Sequence, residues 1–506
     1  MDSRNETVIE LRNIVKTFGS LTANNGVNIT ARRGEILAIV GENGAGKSTV
    51  MNILYGLHQP DSGEIIINGE TIDKNTPENS IKHGIGMVHQ HFMLIPPLTV
   101  TENVILGKET TSGLTLDLAA AAAQIKKLSD DYNLKIDPSK TIEELSVGEN
   151  QRVEIIKVLY RGANILILDE PTAVLTPLEV KELFKIAKNL VAQGKTIIII
   201  THKLDEVMEI SDRITVMKLG KTITTLNTKD TNPKEIAKYM VGREVLLEVE
   251  KKSVELGGAV LKVENITVEK NKKVNALENI NFEIRAGEIL GIAGVEGNGQ
   301  TELIEALMGL NIDKIKSGTI DLNGEKIEEY TVKKRLDSGV SHIPEDRHKR
   351  GLVLEYPIKD NIILGQHSDF AFMGFMNAGE INNHSEKLIR TFDIRPADGG
   401  AAAGGLSGGN QQKIIIAREF NRPFKVLIAA QPTRGVDIGA IEFIHGQIVK
   451  AASEGKAVLL ISAELNELLS LSDRIAVLYK GKIVSIVECS KTNKEELGMM
   501  MTGAII

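Results

Sequence analysis

One cysteine in 506 residues, Cys489, leaves no partner for an intramolecular disulfide. It points to a reducing compartment and is read as an inert, partly buried thiol. Basic residues are not in excess either. With 60 Lys and Arg against 67 Asp and Glu, the net charge of −7 excludes a protein that coats nucleic acid by bulk charge. Nor does any run approach the roughly 18 apolar residues that span a bilayer. The longest, residues 197–200 and 457–461, are strand-sized. Residues 1–12 are mixed polar and charged, unlike a secretory leader. These absences lead to the expectation of a cytosolic chain whose role at a membrane comes through a partner. Clusters with zinc-like spacing are missing too, so no structural metal is assigned, and the neighbours His89 and His91 are read as structural. The compact basic run 346–350 is read as a solvated loop or partner contact.

What is present is repetition. Length alone suggests roughly three domains, or fewer large ones, and a hydrophobic share of 42% is ample for packed cores. The segment Arg33-Gly-Glu-Ile-Leu-Ala-Ile-Val-Gly41 returns as Ala286-Gly-Glu-Ile-Leu-Gly-Ile-Ala-Gly294, 253 positions on. Leu145-Ser-Val-Gly148 returns as Leu406-Ser-Gly-Gly409, and Ser211-Asp-Arg-Ile214 as Ser472-Asp-Arg-Ile475, both 261 positions on. The additional residues of the second copy therefore fall between its glycine-rich loop and Leu406. The pattern predicts two copies of one domain, residues 1–245 and 259–506, joined by a polar linker at 246–258. Runs 165–168 and 197–200 are continuous and apolar, as central strands buried on both faces should be. Their alternation with helix-like stretches predicts an α/β fold in each half, a mainly parallel core sheet with an antiparallel β region and covering helices. An amphipathic stretch at 118–132 predicts an inserted helical subdomain.

The strand-like run 36–40 leads into Gly41, Glu42, Asn43, Gly44, Ala45, Gly46, Lys47 and Ser48, a full match to the G-x-x-x-x-G-K-[ST] phosphate loop. Thr49 follows at the start of a helix-like stretch. In such a loop backbone N–H groups curl round phosphate oxygens, and the helix N-terminus favours their charge. Lys47 would reach the β- and γ-phosphates, and Ser48 would help hold Mg²⁺. The run 165–168 ends in Asp169, suited to the metal, and Glu170, suited to polarise an attacking water. Gln90 follows the apolar pair 87–88, and His202 follows the run ending at Ile200. Phe18 precedes the loop, where its ring would stack on adenine.

This set, in this order and twice over, resembles the nucleotide-binding domains of ABC ATPases across nearly the whole chain. The resemblance implies ATP and Mg²⁺ as cofactors, Gln90 as a metal-side, partner-sensing glutamine and His202 as a switch histidine. It makes residues 145–149 and 406–410 the signature segments. Apolar Phe92, Met93 and Leu94 would line a groove for a partner helix. Two fused domains with a degraded second phosphate loop are similar to the ATPases of importers for ribose, galactose and nucleosides. Residues 86–97 and 430–437 resemble most closely the nucleoside branch, which works with a basic-membrane-lipoprotein type of substrate-binding protein. The sugar branch more often carries Glu in place of His91 and an acidic pair in place of Ala430 and Gln431. Implied partners are two integral membrane permease subunits and an extracytoplasmic substrate-binding lipoprotein, with no nucleic acid. The implied place is the cytoplasmic face of the plasma membrane. A sugar importer, and a soluble twin-domain ATPase acting on ribosomes, are the alternatives.

In that family each ATP lies between the phosphate loop of one domain and the signature helix of the other. Site one then combines the loop with Phe18, Gln90, Asp169, Glu170 and His202, completed by Ser407, Gly408, Gly409 and Asp437. Site two is depleted. Gln300 stands for the lysine, Glu345 for the glutamine, Ala430 and Gln431 for the carboxylates, and Ala463 for the histidine. Its signature carries Val147 and Glu149, Thr176 replaces the aspartate, and no aromatic occurs at 270–273. Glu149 would repel phosphate if turned inward and be harmless if turned away. Losing one preorganised contact costs on the order of 10²–10³ in rate, so site two is expected not to turn over. Its glycine-rich backbone and Thr301 still allow it to bind nucleotide.

Overall fold

Short, almost wholly apolar strands form the centre of each half, because a strand covered on both faces has no solvent side to keep polar. Ile36–Val40, Ile165–Asp169 and Thr196–Ile200 are buried along their whole length. The computed structural model describes residues 6–19, 21–90, 92–112, 115–244, 255–271, 274–295 and 297–504, and divides into two compact units, Met1–Val245 and Leu246–Ile506. Most of the expected linker, and His91, Glu296, Lys272 and Lys273 with it, lies outside the described residues.

In the first unit a six-stranded sheet runs Lys221–Asn227, Arg213–Lys218, Ile36–Val40, Thr196–Ile200, Ile165–Asp169, Ile85–Val88. All neighbours are parallel except the first pair. A second, antiparallel sheet joins Leu21–Arg32, Thr7–Phe18, Ser62–Ile67 and Glu70–Thr71. Ile9, Ile29 and Ile67 of this sheet share one core with Leu37 and Ile39 of the other and with Met51 and Leu54 of the helix Lys47–Tyr55. That helix is thus pinned by its apolar face while its first turn stays at the sheet's carboxyl edge, where ligands of open α/β sheets bind. Between the two sheet halves of the sequence, the helices Val100–Ile105, Leu118–Asp131 and Val147–Tyr160 pack on one another as the inserted subdomain. Leu118–Asp131 starts at Asp117, whose side chain accepts from Ala120 N, and buries Ala121, Ile125 and Ser129, one stripe at four-residue spacing.

The second unit repeats this plan. Its large sheet runs Val340–Ile343, Val426–Ala430, Ala457–Ile461, Ile289–Ala293, Arg474–Tyr479, Lys482–Glu488. Its additional residues are spread along the chain and do not form one insertion. Strands Ile85–Val88 and Val340–Ile343 are 255 positions apart. A few residues later, Asn103 Nδ2 donates to the carbonyls of Ile95, Leu98 and Thr99, and Asn361 Nδ2 to those of Val353, Tyr356 and Pro357. These matched asparagines are 258 positions apart, so three residues enter just after Glu345. The lengthened segment forms a π-helical turn, Arg347–Gly351, capped by Asp346, whose side chain accepts from His348 N and Lys349 N. The basic run is therefore a structured turn with its own cap. Among the described residues no helix is long and apolar enough to cross a membrane, and no group of three or more His, Cys, Asp or Glu is placed to hold a metal.

Candidate active site

At the carboxyl end of Ile36–Val40 the chain turns through residues 41–46 into Lys47–Tyr55. Gly46 has φ 89°, and a side chain there would run into the carbonyl of Ala23. Asn24 Nδ2 donates to Gly46 O at 3.0 Å, and Gly220 N to Ala45 O at 3.2 Å, so the loop is clamped from both sheets. Lys47 is buried, its Nζ donating to the carbonyls of Gly41 at 2.7 Å and Glu42 at 3.0 Å. Burial holds its ammonium below the ordinary lysine range, against the pull of Glu170, Asp169 and Glu42. Asn43, Gly44 and Ser48 are exposed at the mouth, and Thr49 is half-buried behind them. A desolvated ammonium at a helix N-terminus is a site for a polyanion.

Asp169 and Glu170 close the strand Ile165–Asp169. Asp169 Oδ1 is buried with no hydrogen-bond partner among the described residues. Burial and then the charge of Glu170 raise the Asp169 carboxyl, opposed by a hydrogen bond from Ser48 and the charge of Lys47. Glu170 Oε1 lies 3.0 Å from His202 Nδ1. Burial alone would raise Glu170, but the His202 hydrogen bond and charge, with Lys47 and Lys203, outweigh it and hold the carboxyl low. Neighbouring carboxyls pushed in opposite directions mark different roles. Glu170 has φ 45° and donates its N–H to Ile200 O at 2.9 Å. Gln431 keeps the same turn, φ 46° with N–H to Ile461 O at 2.7 Å, so the left-handed backbone belongs to the shared strand end.

The structure thus joins Lys47, Ser48, Asp169, Glu170 and His202 in one interacting set. Gln90 sits exposed in the turn after Ile85–Val88, at the same carboxyl edge of the sheet. Phe18 ends the strand Thr7–Phe18 and packs edge-on against His58, ring centroids 5.4 Å apart, leaving 44% of it exposed. Of the apolar residues after Gln90, Met93 is exposed, and Phe92 and Leu94 are half-buried.

Both signature segments start helices. Ser146 caps Val147–Tyr160, and Glu149 Oε2 returns to accept from Ser146 N at 2.8 Å, a reciprocal capping box. The Glu149 carboxylate is therefore turned back on its own helix start, with Lys140 Nζ 3.8 Å away. In the second unit Ser407 caps Gly408–Asn421 and also accepts from Asn410 Nδ2 at 3.0 Å. Asp437 caps Ile438–Ser453, accepting from Ala440 N at 2.7 Å. Thr176 does the same for Pro177–Ala192, so the exchange of aspartate for threonine keeps the cap. Glu179, on that helix, accepts from Gly148 N at 3.1 Å as well.

The second unit's phosphate loop has different chemistry. The Gln300 amide packs against Gly294, and Thr301 Oγ1 donates to both oxygens of Glu345 at 3.1 and 3.2 Å. Ala430 is fully buried, and Gln431 Oε1 accepts from Ala463 N at 3.2 Å. No ammonium and no strand-end carboxylate stand at these positions. Sequence reading missed Asn24 and Glu179. One asparagine within a strand and one glutamate within a helix carry no spacing signal, and only the fold shows what they brace.

Residues 24–173 and 277–434 match the ABC transporter family. The chain is 51% identical over 501 residues to the guanosine import ATP-binding protein NupO of Bacillus subtilis (strain 168), covering 99% of this chain and 98% of that protein. It is 48% identical over 504 residues to the nucleoside import ATP-binding protein NupA of Lactococcus lactis subsp. cremoris (strain MG1363), covering 99% of each. Among solved structures, the complex of archaeal ribosomal stalk protein aP1 and archaeal ribosome recycling factor aABCE1 aligns with TM-score 0.62 over 94% of this chain and 90% of that chain. At 20% identity this is a likeness of fold alone. A duplicated α/β unit, a lysine-bearing phosphate loop beside a carboxylate–histidine pair, and relatives matched end to end converge on one conclusion: the chain belongs to the ABC transporter family, as an ATP-binding, ATP-hydrolysing protein of two tandem nucleotide-binding domains.

Proposed function

We propose that this chain powers the uptake of nucleosides through separate membrane permeases, and that its first unit performs the hydrolysis. The observation that carries the site assignment is the Glu170–His202 pair, 3.0 Å apart, where the second unit holds Gln431 and Ala463. With ATP bound, Lys47 exchanges the carbonyls of Gly41 and Glu42 for phosphate oxygens, and the loop 41–49 wraps the phosphates by its backbone. Phe18 packs against adenine. Glu170, kept ionised by His202, orients the attacking water and draws on its proton. Ser48, Gln90 and Asp169 would hold Mg²⁺, and the buried, unpartnered Asp169 Oδ1 suits a cation. Bound there, the ion would neutralise charge on the β- and γ-phosphates.

On the family pattern Ser407, Gly408, Gly409 and Asp437 serve the same turnover. The second unit does not hydrolyse nucleotide, while its glycine-rich backbone and Thr301 leave it able to bind one. We take 246–258 as the joint between domains 1–245 and 259–506. The names of the two relatives, guanosine and nucleoside import proteins, support nucleosides as cargo. Two permease subunits would hold the chain at the cytoplasmic face of the membrane, with a substrate-binding lipoprotein on the other side. Deleting the gene in its host and measuring uptake of labelled uridine, adenosine and guanosine tests this. Loss of uptake and resistance to toxic nucleoside analogues are expected. Normal nucleoside uptake with lost ribose or galactose uptake would move the chain to the sugar branch.

A further inference from the structure

The second unit contains a side chain that ties three of its motifs together. Arg347, in the capped turn after Glu345, donates from Nη1 to Arg434 O at 2.7 Å and from Nη2 to Gly435 O at 3.4 Å. Its Nε donates to Gln411 Oε1 at 3.3 Å, and His348 Nε2 meets the same oxygen at 2.9 Å. Gln411 lies one turn into the signature helix, and its Nε2 donates to Ala403 O at 3.1 Å. Arg434 and Gly435 form the turn that delivers Asp437 to its helix cap. Gly408 is kept small by the same arrangement, since a Cβ there would lie 2.7 Å from Arg347 Nη2 and 2.9 Å from Gly435 O.

The first unit fastens the same motifs differently. There Glu179, third residue of the helix capped by Thr176, accepts from Gly148 N at 3.1 Å and so joins signature helix to cap directly. The equivalent third residue after Asp437 is Ala440, which has no carboxylate to offer. The corresponding first-unit segment, residues 91–94, is three residues shorter than 346–352 and contains no arginine. The second unit thus has no counterpart of the Gly148–Glu179 hydrogen bond, although the Asp437 carboxylate lies against Gly409, and it gains the arginine link in the unit whose own phosphate loop is dismantled and whose signature is intact. A planar guanidinium spans two carbonyls and an amide at once, which an ammonium cannot.

We propose that Arg347 is a positioning residue for ATP turnover, holding the signature segment that begins at Ser407 and the turn that ends at Asp437 in one fixed arrangement. This rests on the reading that these two motifs serve the working site. In the assembled transporter, Arg347→Met should lower kcat for ATP about tenfold or more, the scale on which small misplacements act. KM for ATP should stay within about threefold and the melting temperature within a few degrees. Arg347→Lys, which replaces the fork by one point donor, should recover only part of kcat and also decides the matter if the Met variant fails to assemble. Wild-type kcat in either variant, or a loss matched by a fall in melting temperature, would overturn the role. Glu170→Gln is measured alongside. If it abolishes turnover while Arg347→Met does not, only the positioning role fails; if it stays active, the reading of the working site fails and takes this proposal with it.

Discussion

Replacing His202 by Ala removes the largest of the influences that hold Glu170 ionised, leaving Lys47 and Lys203. The two atoms are 3.0 Å apart, and His202 and Glu170 side chains are only 30% and 17% exposed, so water screens the contact poorly. Two effects should follow. First, kcat should fall by about 10²–10³, the cost of one preorganised catalytic contact. Second, the pH profile should move in a definite direction. Burial raises the Glu170 carboxyl and the His202 hydrogen bond and charge lower it; with His202 gone, burial is left with less opposition and the carboxyl protonates at higher pH. On the proposed mechanism only the ionised form orients water, so the acid limb of kcat should shift upward. Steady-state ATPase of the reconstituted transporter, measured from pH 5 to 9 on both proteins at saturating ATP, reads both effects. An unchanged acid limb, or one displaced to lower pH, would refute the electrostatic role given to this pair even if the rate fell.

Three further outcomes are expected. His342 has a buried Nε2 without a partner among the described residues, and burial lowers its imidazole from 6.5 to about 4, with Glu419 opposing and Arg350 and Arg418 assisting. The folded protein therefore stays neutral there while the unfolded chain gains a proton, and stability is lost as pH falls from 6.5 towards 4, by at most about 1.4 kcal/mol per pH unit. His342→Leu should show a smaller drop in melting temperature between pH 7 and pH 5 than the parent; an equal drop would exclude the residue as a source. Gln431→Glu, introduced into a Glu170→Gln background, should leave ATPase at background, because Gln300, Ala430 and Ala463 still supply no ammonium, metal carboxylate or histidine; recovered turnover would show the second unit to be competent. Glu149→Ala should cost about 0.5–1 kcal/mol through its lost capping box and leave turnover within about twofold, as read by melting temperature and ATPase; a large rise in activity would mean that the carboxylate obstructs nucleotide.

The strands and the phosphate loop could be read from the sequence because each carries its own local signal. Residues 165–168 and 197–200 are apolar throughout since both faces are covered, and residues 41–48 form a fixed pattern characteristic of a phosphate loop. The inserted helix at 118–131 showed itself by spacing. What escaped was whatever depended on where a side chain turns. Glu149 could be read as facing phosphate or facing away, and the choice was made by a neighbouring serine three residues back, a capping box in which both groups satisfy otherwise orphaned N–H donors. The additional residues of the second half could be bracketed by matched motifs, but the three after Glu345 were placed only by the repeated asparagine bonds of Asn103 and Asn361. The bracing roles of Arg347 and His348 stayed hidden because their partners, Gln411 and, for Arg347, the turn at 434–435, lie more than sixty positions away in the chain.

That one site performs all the chemistry is tested by ATP hydrolysis in the assembled transporter carrying Glu170→Gln. The substitution keeps shape and neutral hydrogen bonding but removes the charge that His202 stabilises and that, on the proposed mechanism, orients water. Turnover should fall to background, with ATP still bound to the protein. Robust hydrolysis in this variant, or loss of hydrolysis only when Gln300, Thr301 or Gln431 is changed, would place the working site in the other unit.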